Sequence, residues 1–466
     1  METGYGVSKM TKLIKSGIFI CAVLAVSLPA LQAQEEKALT LEECIQIALK
    51  NNSQLRNAQR EVSRAQTDVV SARANWLPRI NTSFSAGKTI MGARVDLTDV
   101  PVGIDPETGN TIFSQQRIYQ KSTERNSHRA SLSANQNIYD FGRTLYGIKE
   151  AAALKDAAEF SLVDTRMSVI VNVKNAYYNL IKAKHLEEVY TDAVVLAQDQ
   201  VDRTQTMMDI GLASQAEVFQ ARVTLGRNKT DLITQRNNVE IARADLNNSL
   251  GQNPSTPIDV IEDETEPIFP TYTFEEAVET ALNNNQALKA REKEVRANLY
   301  AVKGAKGRYF PTLGAGFNYS RSNEDISRVY TTDLDLDYVI SVGVSADLNI
   351  FNGFADKAAI QRQTINHQIS VENFAENKRL LIASVKQYFL ELAAYKEIVE
   401  INEQNIEAAQ ENLRLQTEKR NVGSGTELEV TQAQVELTQA QAGYVSAEYD
   451  AKISRARLEA EMGIEE

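Results

Sequence analysis

The sequence predicts an α+β membrane protein in which each chain adds four transmembrane strands to a barrel shared between copies and continues as long coiled-coil helices. Three observations lead to this fold class. The chain is an internal two-fold repeat, its proline-free stretches permit very long helices, and its few strand-like segments alternate apolar and polar residues. A compact soluble domain has no use for helices of the length expected here.

The N-terminus has the composition of a secretory signal. Three lysines precede an apolar stretch over residues 18–28, and a small residue, Ala33, ends the segment, so we expect residues 1–33 to be removed on export. Lipidation of Cys21 is disfavoured because Ile18-Phe19-Ile20 before it lacks small residues. The rest of the chain contains no run of about twenty apolar residues, so strands would have to hold the protein in a membrane.

Charge and cysteine content exclude several kinds of function. The chain has a formal net charge of −12, and nucleic-acid binding needs a basic face, so a nucleic-acid partner is not expected. Cys44 is the one cysteine left after the signal is removed, which excludes an intrachain disulfide. Because Ala277 takes the corresponding place in the second half, we interpret Cys44 as a small packed residue.

The strongest feature of the sequence is its internal repeat. Leu41-Glu42-Glu43 recurs as Phe274-Glu275-Glu276, and Trp76-Leu77-Pro78 as Tyr309-Phe310-Pro311, both 233 positions later (274 − 41 and 311 − 78). A second block, which includes Gly251 and its counterpart Gly463, recurs after 212 positions (463 − 251).

The two spacings differ by 21 residues (233 − 212), all of which fall between the first and second strands of each half, where we expect a loop. The predicted organisation is a signal peptide at 1–33, a first repeat at 34–251, a connecting segment at 252–272 and a second repeat at 273–466.

Long helices are permitted because proline is absent from residues 111–253 and from 312 to the end. Residues 143–209, taken as one helix, would span about 100 Å at 1.5 Å per residue. Apolar residues at a spacing near 3.5 predict coiled-coil seams. One seam comprises Leu381, Val385, Tyr388, Leu392, Tyr395, Val399 and Ile406, and a second comprises Ala433, Leu437, Ala440, Tyr444, Ala447, Ala451 and Leu458.

Four strands are predicted, two in each half. The alternation is clearest in the fourth strand, whose apolar face holds Tyr338, Ile340, Val342, Val344, Ala346, Leu348 and Ile350. The second strand has Ala130, Leu132, Ala134 and Ile138 on one face, the first Ile80, Thr82, Phe84 and Ala86, and the third Leu313, Ala315, Phe317 and Tyr319. The alternative is a soluble sheet covered on one face by helices, but the neighbouring helices are too long to serve that purpose.

Four strands cannot close a barrel by themselves, and an open sheet edge in lipid leaves backbone groups unpaired at a cost of several kcal/mol each. Two copies would give eight strands, a size whose interior is filled by side chains, whereas three would give twelve and leave room inside. A channel therefore favours a homotrimer.

In these features the chain resembles the TolC-like outer-membrane efflux protein family over essentially its whole mature length. The marks are Leu41 to Leu49 with Asn51-Asn52, the helix end at Leu77-Pro78, Ile138-Tyr139-Asp140-Phe141-Gly142 with Ile350-Phe351-Asn352-Gly353, and the paired turns Gly211 to Ser214 and Gly423 to Thr426. Their order, present twice, is more specific than any one of them.

The resemblance implies a passive trimeric duct in the cell outer membrane, with helices that extend into the periplasm. Its implied partners are outer-membrane lipid, a periplasmic adaptor and an inner-membrane pump. It also implies that the adaptor docks on the two helix-helix turns, where the matching residues are Gly211, Ser214, Gly423 and Thr426.

A periplasmic gate is implied at Glu217 and Glu429, just after the turns. Like charges around a narrow pore would attract cations. The alternative is that both are solvated glutamates at helix starts, favoured by the helix dipole. The chain departs from the family pattern at Gln432 and Gly425, where some members have an acid and a base. Arg420 also differs from its repeat counterpart Met208, so any closing contacts are expected to differ between the halves.

The sequence contains no catalytic constellation, so we expect no enzyme and no cofactor. His128, His185 and His367 are scattered, which argues against a metal site. Asp140-Phe141-Gly142 imitates a kinase triplet without the accompanying loops and instead marks a strand-to-helix turn. Four aromatic residues, Trp76, Tyr139, Tyr309 and Phe351, fit either an aromatic girdle at the periplasmic membrane interface or core packing. The alternative function is a soluble periplasmic coiled-coil adaptor, which would be extracted without detergent.

Overall fold

The computed structural model describes residues 38–262, 269, 272–331, 333 and 335–464. The predicted signal peptide, and part of the predicted connecting segment, lie outside these residues. The first half contains β1 Ala38–Leu39, α1 Leu41–Asn51, α2 Ser53–Ala74, β2 Arg79–Met91, β3 Arg94–Ile104, β4 Thr111–Gln120, β5 Thr123–Tyr139, α3 Arg143–Asp209 and α4 Gln215–Ser249. After β6 Asp259–Val260, the second half contains α5 Phe274–Asn284, α6 Gln286–Lys306, β7 Thr312–Asn323, α7 Ile326–Val329, β8 Tyr338–Asp347, α8 Ala355–Asn421 and α9 Glu427–Met462.

The two halves repeat one order of elements, two shorter helices, strands, then a very long helix and its return helix. This confirms the predicted two-fold repeat. Helices α3 and α8 each have 67 residues, about 100 Å at 1.5 Å per residue, and α3 has the predicted bounds. The seam of α8 is buried at Leu381, Val385 and Leu392. No described helix is both long enough and apolar enough to cross a membrane.

Strands β2, β5, β7 and β8 form one antiparallel sheet in that order. Its cross-strand register places like residues together on each face. One face is mostly apolar. One of its rows comprises Thr82, Leu132, Tyr319 and Ile340, and the next comprises Ile80, Ala134, Phe317 and Val342. The other face is mostly polar. One of its rows comprises Ser83, Ser131, Ser320 and Val339, the next comprises Asn81, Ser133, Asn318 and Ser341, and a third comprises Arg79, Asn135, Gly316 and Gly343.

Neither face of this sheet is covered by a long helix. Every residue of β2 and β8 is exposed, and Val342 and Val344 are 76% and 74% exposed. The soluble sheet considered as an alternative is therefore wrong. In the described part of the chain, the outer edges of β2 and β8 also lack a strand partner.

Two details of the strands differ from the sequence-based expectation. The register shifts between Asn137 and Tyr139, so Tyr139, and not Ile138, lies opposite Leu313 on the apolar face. A β-bulge of this kind adds one residue to one strand. Strand β8 also ends at Asp347, before Leu348 and Ile350.

The segment expected to be a loop between the first two strands is instead an extended hairpin. Met91 pairs with Thr123, and three residues further along each strand Arg94 pairs with Gln120, so β3 and β4 continue β2 and β5 in the same register. From Arg79 to Ile104 the arm spans roughly 85 Å at 3.3 Å per residue. Much of the hairpin therefore stands beyond an apolar band about 25 Å tall.

Each strand-to-helix turn uses two consecutive residues with positive φ. In the first half they are Phe141 (φ 52°) and Gly142 (φ 89°), and in the second Gly353 (φ 65°) and Phe354 (φ 66°). The left-handed pair is retained although the order of phenylalanine and glycine is reversed. In the first turn the buried Asp140 carboxylate accepts a hydrogen bond from the Thr144 backbone N–H at 2.9 Å, which caps α3.

Helix-end glycines link each return helix to the start of its own half. Gly251 has φ +70°, and a Cβ there would lie 2.8 Å from the Asn51 carbonyl oxygen. At Gly463, with φ +69°, a Cβ would lie equally close to the Asn284 carbonyl oxygen. Only glycine permits this conformation and this approach. In each half, the asparagine of the first sequence block therefore contacts the glycine of the second, Asn51 with Gly251 and Asn284 with Gly463.

Candidate functional site

The end of the helical body remote from the sheet is formed by two helix-helix turns. We define tip 1 as residues 210–214, between α3 and α4, and tip 2 as residues 422–426, between α8 and α9. Gly211 and Gly423 have φ values of +80° and +76°, the conformation that ends a helix with a left-handed residue. A Cβ at either glycine would meet no atom within 4 Å among the described residues.

Ser214 and Thr426 are the N-caps of the return helices, and Glu217 and Glu429 complete a capping box with them. The Ser214 backbone N–H donates to Glu217 Oε2 at 2.7 Å, and the Thr426 N–H donates to Glu429 Oε2 at the same distance. The hydrogen bond from the Thr426 backbone is the main cause that lowers the pKa of Glu429. Both glutamates thus have a local capping role, and their gate role stays a prediction.

A polar cluster joins all four helices just above the tips. We define the tip cluster as Gln200 and Thr204 of α3, Glu217 of α4, Arg420 of α8 and Glu427 of α9. Gln200 Nε2 donates to both carboxylate oxygens of Glu427, at 2.8 and 2.6 Å. Arg420 lies between the two acids, with Nη2 3.6 Å from Glu217 Oε1 and Nε 3.8 Å from Glu427 Oε2. The cluster therefore holds the second-half helices against the first-half helices.

Two of the three charged side chains of the tip cluster are largely removed from water, and the third, Glu217, is 33% exposed. The side chains of Arg420 and Glu427 are 12% and 3% exposed. Burial, opposed by the hydrogen bonds from Gln200 and by Arg420, raises the pKa of Glu427. Arg420 Nε and Nη2 are buried without a hydrogen-bond partner of their own among the described residues. A carboxylate so placed depends on its one cationic neighbour, because an unpaired buried charge costs several kcal/mol.

Sequence reasoning found Glu217 and noted Arg420 but missed Glu427, Gln200 and Thr204. The repeat contained one available signal. At the spacing of 212 positions the counterpart of Glu427 is Gln215, and that of Arg420 is Met208 (427 − 212 and 420 − 212). A base and an acid therefore occur together in the second half and are both missing from the first. Such a paired change predicts an interaction, although not its partners on α3 and α4.

The tips also expose apolar side chains. Ile210 and Leu212 of tip 1 are 66% and 70% exposed, and Val422 of tip 2 is 78% exposed. Leu428, in the first turn of α9, is 65% exposed. Exposed apolar side chains grouped around polar turns are typical of a surface that another protein covers.

At the other end of the molecule the polar face of the sheet forms an open groove. Half of its lining residues are serine, asparagine or glycine, including Ser133, Asn135, Gly316, Asn318 and Ser341, and apolar residues such as Val342 border it. Thr144, at the start of α3, lines its lower end. Within the residues that the structure covers, no group of three or more His, Cys, Asp or Glu is placed to hold a metal ion.

The remaining candidates of the sequence analysis lie elsewhere. Cys44 is fully buried, and burial raises the pKa of its thiol to about 12, so it stays protonated. Trp76, Tyr139, Tyr309 and Phe351 are all about half exposed or more, which does not fit core packing.

Comparisons with known proteins agree with this architecture. A model of the outer membrane efflux protein family matches residues 44–252 and 277–463. The chain is 23% identical to the outer membrane efflux protein BepC of Brucella suis biovar 1 (strain 1330), over 93% of this chain and 88% of that protein. It is 21% identical to the outer membrane protein TolC of Vibrio cholerae, over 97% and 96% of the two chains. The crystal structure of CusC superposes with a TM-score of 0.78 at 16% identity, covering 91% of this chain and 92% of that one, and so shares the fold.

Proposed function

The chain belongs to the outer membrane efflux protein family, and on that premise we propose that three copies form one passive exit duct, joined at its tips to a periplasmic adaptor and an inner-membrane pump. The protein is thus an outer-membrane efflux protein with helices that extend into the periplasm, and the alternative of a soluble adaptor is wrong. In this proposal the duct performs no chemical step of its own.

The observation that supports a trimer is that the sheet has two unpaired edges. Its four strands leave both edges unpaired in the described chain, at β2 and β8. A backbone edge in hydrocarbon costs several kcal/mol per unpaired group, so each β2 edge would pair with the β8 edge of a neighbouring copy. Three copies close at twelve strands, with the serine, asparagine and glycine face turned inward around an aqueous lumen.

The predicted gate is supported by the tip cluster rather than by Glu217 and Glu429 alone. Arg420 connects α8 to the acids of α4 and α9, and Gln200 connects α3 to α9. While these contacts hold, the two helix pairs of a protomer stay together at the tip. We propose that opening separates them, and that Glu217 and Glu429 contribute negative charge to the constriction.

Charge and capping can be separated at the two glutamates. Glutamine keeps the capping-box geometry but carries no charge, so Glu217→Gln with Glu429→Gln is expected to lower the preference of the pore for cations over anions. The measurement is the reversal potential of single channels in planar bilayers under a salt gradient. The matched control is Glu411→Gln with Glu418→Gln, which removes two exposed charges of α8. Equal reversal potentials in wild type and the Glu217/Glu429 variant would exclude these residues from the pore.

Adaptor docking can be tested at the two tip glycines. Gly211→Trp with Gly423→Trp is expected to abolish adaptor-dependent export, because both side chains would project into the space where a partner would lie. The control, Gly211→Ala with Gly423→Ala, has the same positive-φ strain, about 1–2 kcal/mol per site, without the bulk. Export is measured in cells that also make the adaptor and pump, and trimer content in the purified membrane fraction. Normal export by an intact tryptophan trimer would refute docking at these turns.

A further inference from the structure

Two lysines and two tyrosines form a compact cluster where the helices meet the sheet. We define the Lys–Tyr collar as Tyr146 and Lys149 of α3 with Tyr300 and Lys303 of α6. The two phenol rings stack with centroids 6.3 Å apart. Lys149 Nζ lies 5.6 and 6.0 Å from the centroids of Tyr146 and Tyr300, and Lys303 Nζ lies 5.8 and 5.9 Å from them. Both ammonium groups thus contact the same pair of rings.

The collar lies on the outer wall of the protein. Thr144 Oγ1 accepts a hydrogen bond at 3.4 Å from Asn137, which lies opposite Gly314 on the polar face of the sheet. At 3.6 residues per turn, Tyr146 and Lys149 are rotated from Thr144 by about 200° and about 140°, which places both on the opposite side of α3. Tyr300 and Lys303 contact them and share that side.

An aromatic ladder of Tyr139, Phe141 and Phe310 leads from the apolar face of the sheet to the turn that precedes α3. Tyr139 lies opposite Leu313 on that face. Its ring packs against Phe141 with centroids 4.8 Å apart, and Phe141 stacks on Phe310 at 4.9 Å. From the sheet toward the periplasm the outer wall therefore changes from aliphatic to aromatic to cationic. This is the order of side chains found across a membrane-water interface.

The depth of the lysines suits the headgroup layer. Lys149 is six residues after the first residue of α3, about 9 Å along the helix. Headgroups add roughly 5–8 Å to the hydrocarbon core on each side of a bilayer, and a lysine side chain can extend back toward the membrane. The side chains of Lys149 and Lys303 are exposed, whereas the two rings are half-buried.

The two lysines lie without a paired acid in the part of the chain that the structure describes. Among the described residues, neither Lys149 nor Lys303 forms a salt bridge. The carboxyl next in sequence, Glu150, is half-buried, and burial raises its pKa. In a chain of net charge −12, residues 299–311 contain three cations and no acid. Two ammonium groups that share one pair of rings repel each other unless an anion lies between them.

We propose that the Lys–Tyr collar binds the phosphate of an anionic phospholipid in the periplasmic leaflet of the outer membrane. The inference rests on the outer-membrane position of the protein. The two lysines would hold the phosphodiester, while the aromatic ladder lies along the glycerol and upper acyl region. The collar belongs to α3 and α6, which follow and precede the two central strands β5 and β7, so it is complete in each protomer.

Native mass spectrometry of the detergent-extracted trimer, titrated with phosphatidylglycerol or phosphatidylcholine, tests the proposal and reports assembly in the same spectrum. The wild-type trimer is expected to bind phosphatidylglycerol more tightly than phosphatidylcholine. Lys149→Gln with Lys303→Gln should weaken that binding about five-fold per lysine, equivalent to about 1 kcal/mol for each. The matched control is Lys293→Gln, because Lys293 contacts the Phe160 ring at 5.7 Å in the same manner but lies about 15 Å further down α6.

Three results would overturn the proposal. They are equal binding of the two lipids by wild type, an equal loss in the Lys293 variant, and full displacement of phosphatidylglycerol by inorganic phosphate at the same concentration. The last would make the collar a site for free phosphate. The proposed duct is judged separately, because its failure would be the absence of the trimer from the same spectra.

Discussion

Replacement of Arg420 by methionine, the residue at its repeat counterpart Met208, is expected to open the tip of the duct. The variant would leave the buried Glu427 beside Glu217 with no cation within salt-bridge distance inside the tip cluster. Breaking a buried pair in this way costs about 3 kcal/mol or more, roughly a hundredfold in a closed-to-open equilibrium. Separation of α9 from α3 and α4 would return Glu427 to water, so open probability in planar bilayers should rise steeply.

The control for this experiment is Arg414→Met on the same helix. The Arg414 side chain is 55% exposed and pairs with Glu411 and Glu418 within α8, and exposed pairs of this kind contribute less than about 1 kcal/mol. A second variant, Arg420→Met with Glu427→Gln, removes the buried charge as well and should close again in large part. If Arg414→Met and Arg420→Met gave equal currents, the tip cluster would not be the closing contact.

The open probability of the Arg420→Met variant is also expected to depend on pH. Because burial raises the pKa of Glu427, its protonated form is favoured in the closed tip, and closure gains stability as pH falls through that raised pKa. Acidification should therefore reverse part of the opening in Arg420→Met, and it should have little effect once Glu427→Gln is added. Opening that increased at low pH would contradict this sign.

A second large effect is expected at the centre of the apolar face of the sheet. Val342 pairs with Phe317 in the middle apolar row and is 76% exposed in the protomer. An arginine facing lipid at the bilayer midplane costs about 2–4 kcal/mol, or about 6–12 kcal/mol over three copies. That is comparable with the whole stability of a typical domain. Val342→Arg should therefore remove nearly all assembled trimer from the outer-membrane fraction.

The adjacent residue supplies the matched control. Ser341 lies opposite Asn318 on the polar face of the sheet. The variant Ser341→Arg therefore places the same side chain in the water-filled lumen, where the protein should assemble normally and the arginine should only narrow the pore. Trimer content is compared in outer membranes isolated from cells that produce equal amounts of each chain. If the Ser341→Arg trimer were lost and the Val342→Arg trimer retained, the polar face of the sheet would face lipid and the apolar face the lumen.

The helices and the apolar strand faces were predictable because they rest on local pattern. The absence of proline, the 3.5-residue seams and the glycine turns determine α3 from Arg143 to Asp209 with little ambiguity. The β3–β4 hairpin was not predictable. Val95 and Leu97 alternate only briefly with Asp96 and Thr98 before Pro101 interrupts the pattern. Because the alternation of apolar and polar residues is so short, the sequence of this segment cannot be distinguished from that of a loop.

The tip cluster lay beyond sequence reasoning for a different reason. Gln200 and Glu427 are 227 residues apart, and their contact depends on the packing of α3 against α9. The capping boxes at Glu217 and Glu429 are local and could be inferred, whereas the pairing of Arg420 with two acids on other helices follows only from the fold. Internal symmetry gave the one hint, through Met208 and Gln215.

The most direct test of the shared barrel is the mass of the processed protein after extraction from outer membranes in mild detergent, measured by native mass spectrometry. Three copies per particle, released only by detergent, are the expected result. A single water-soluble copy, obtained without detergent and stable with its β2 and β8 edges unpaired, would contradict the account.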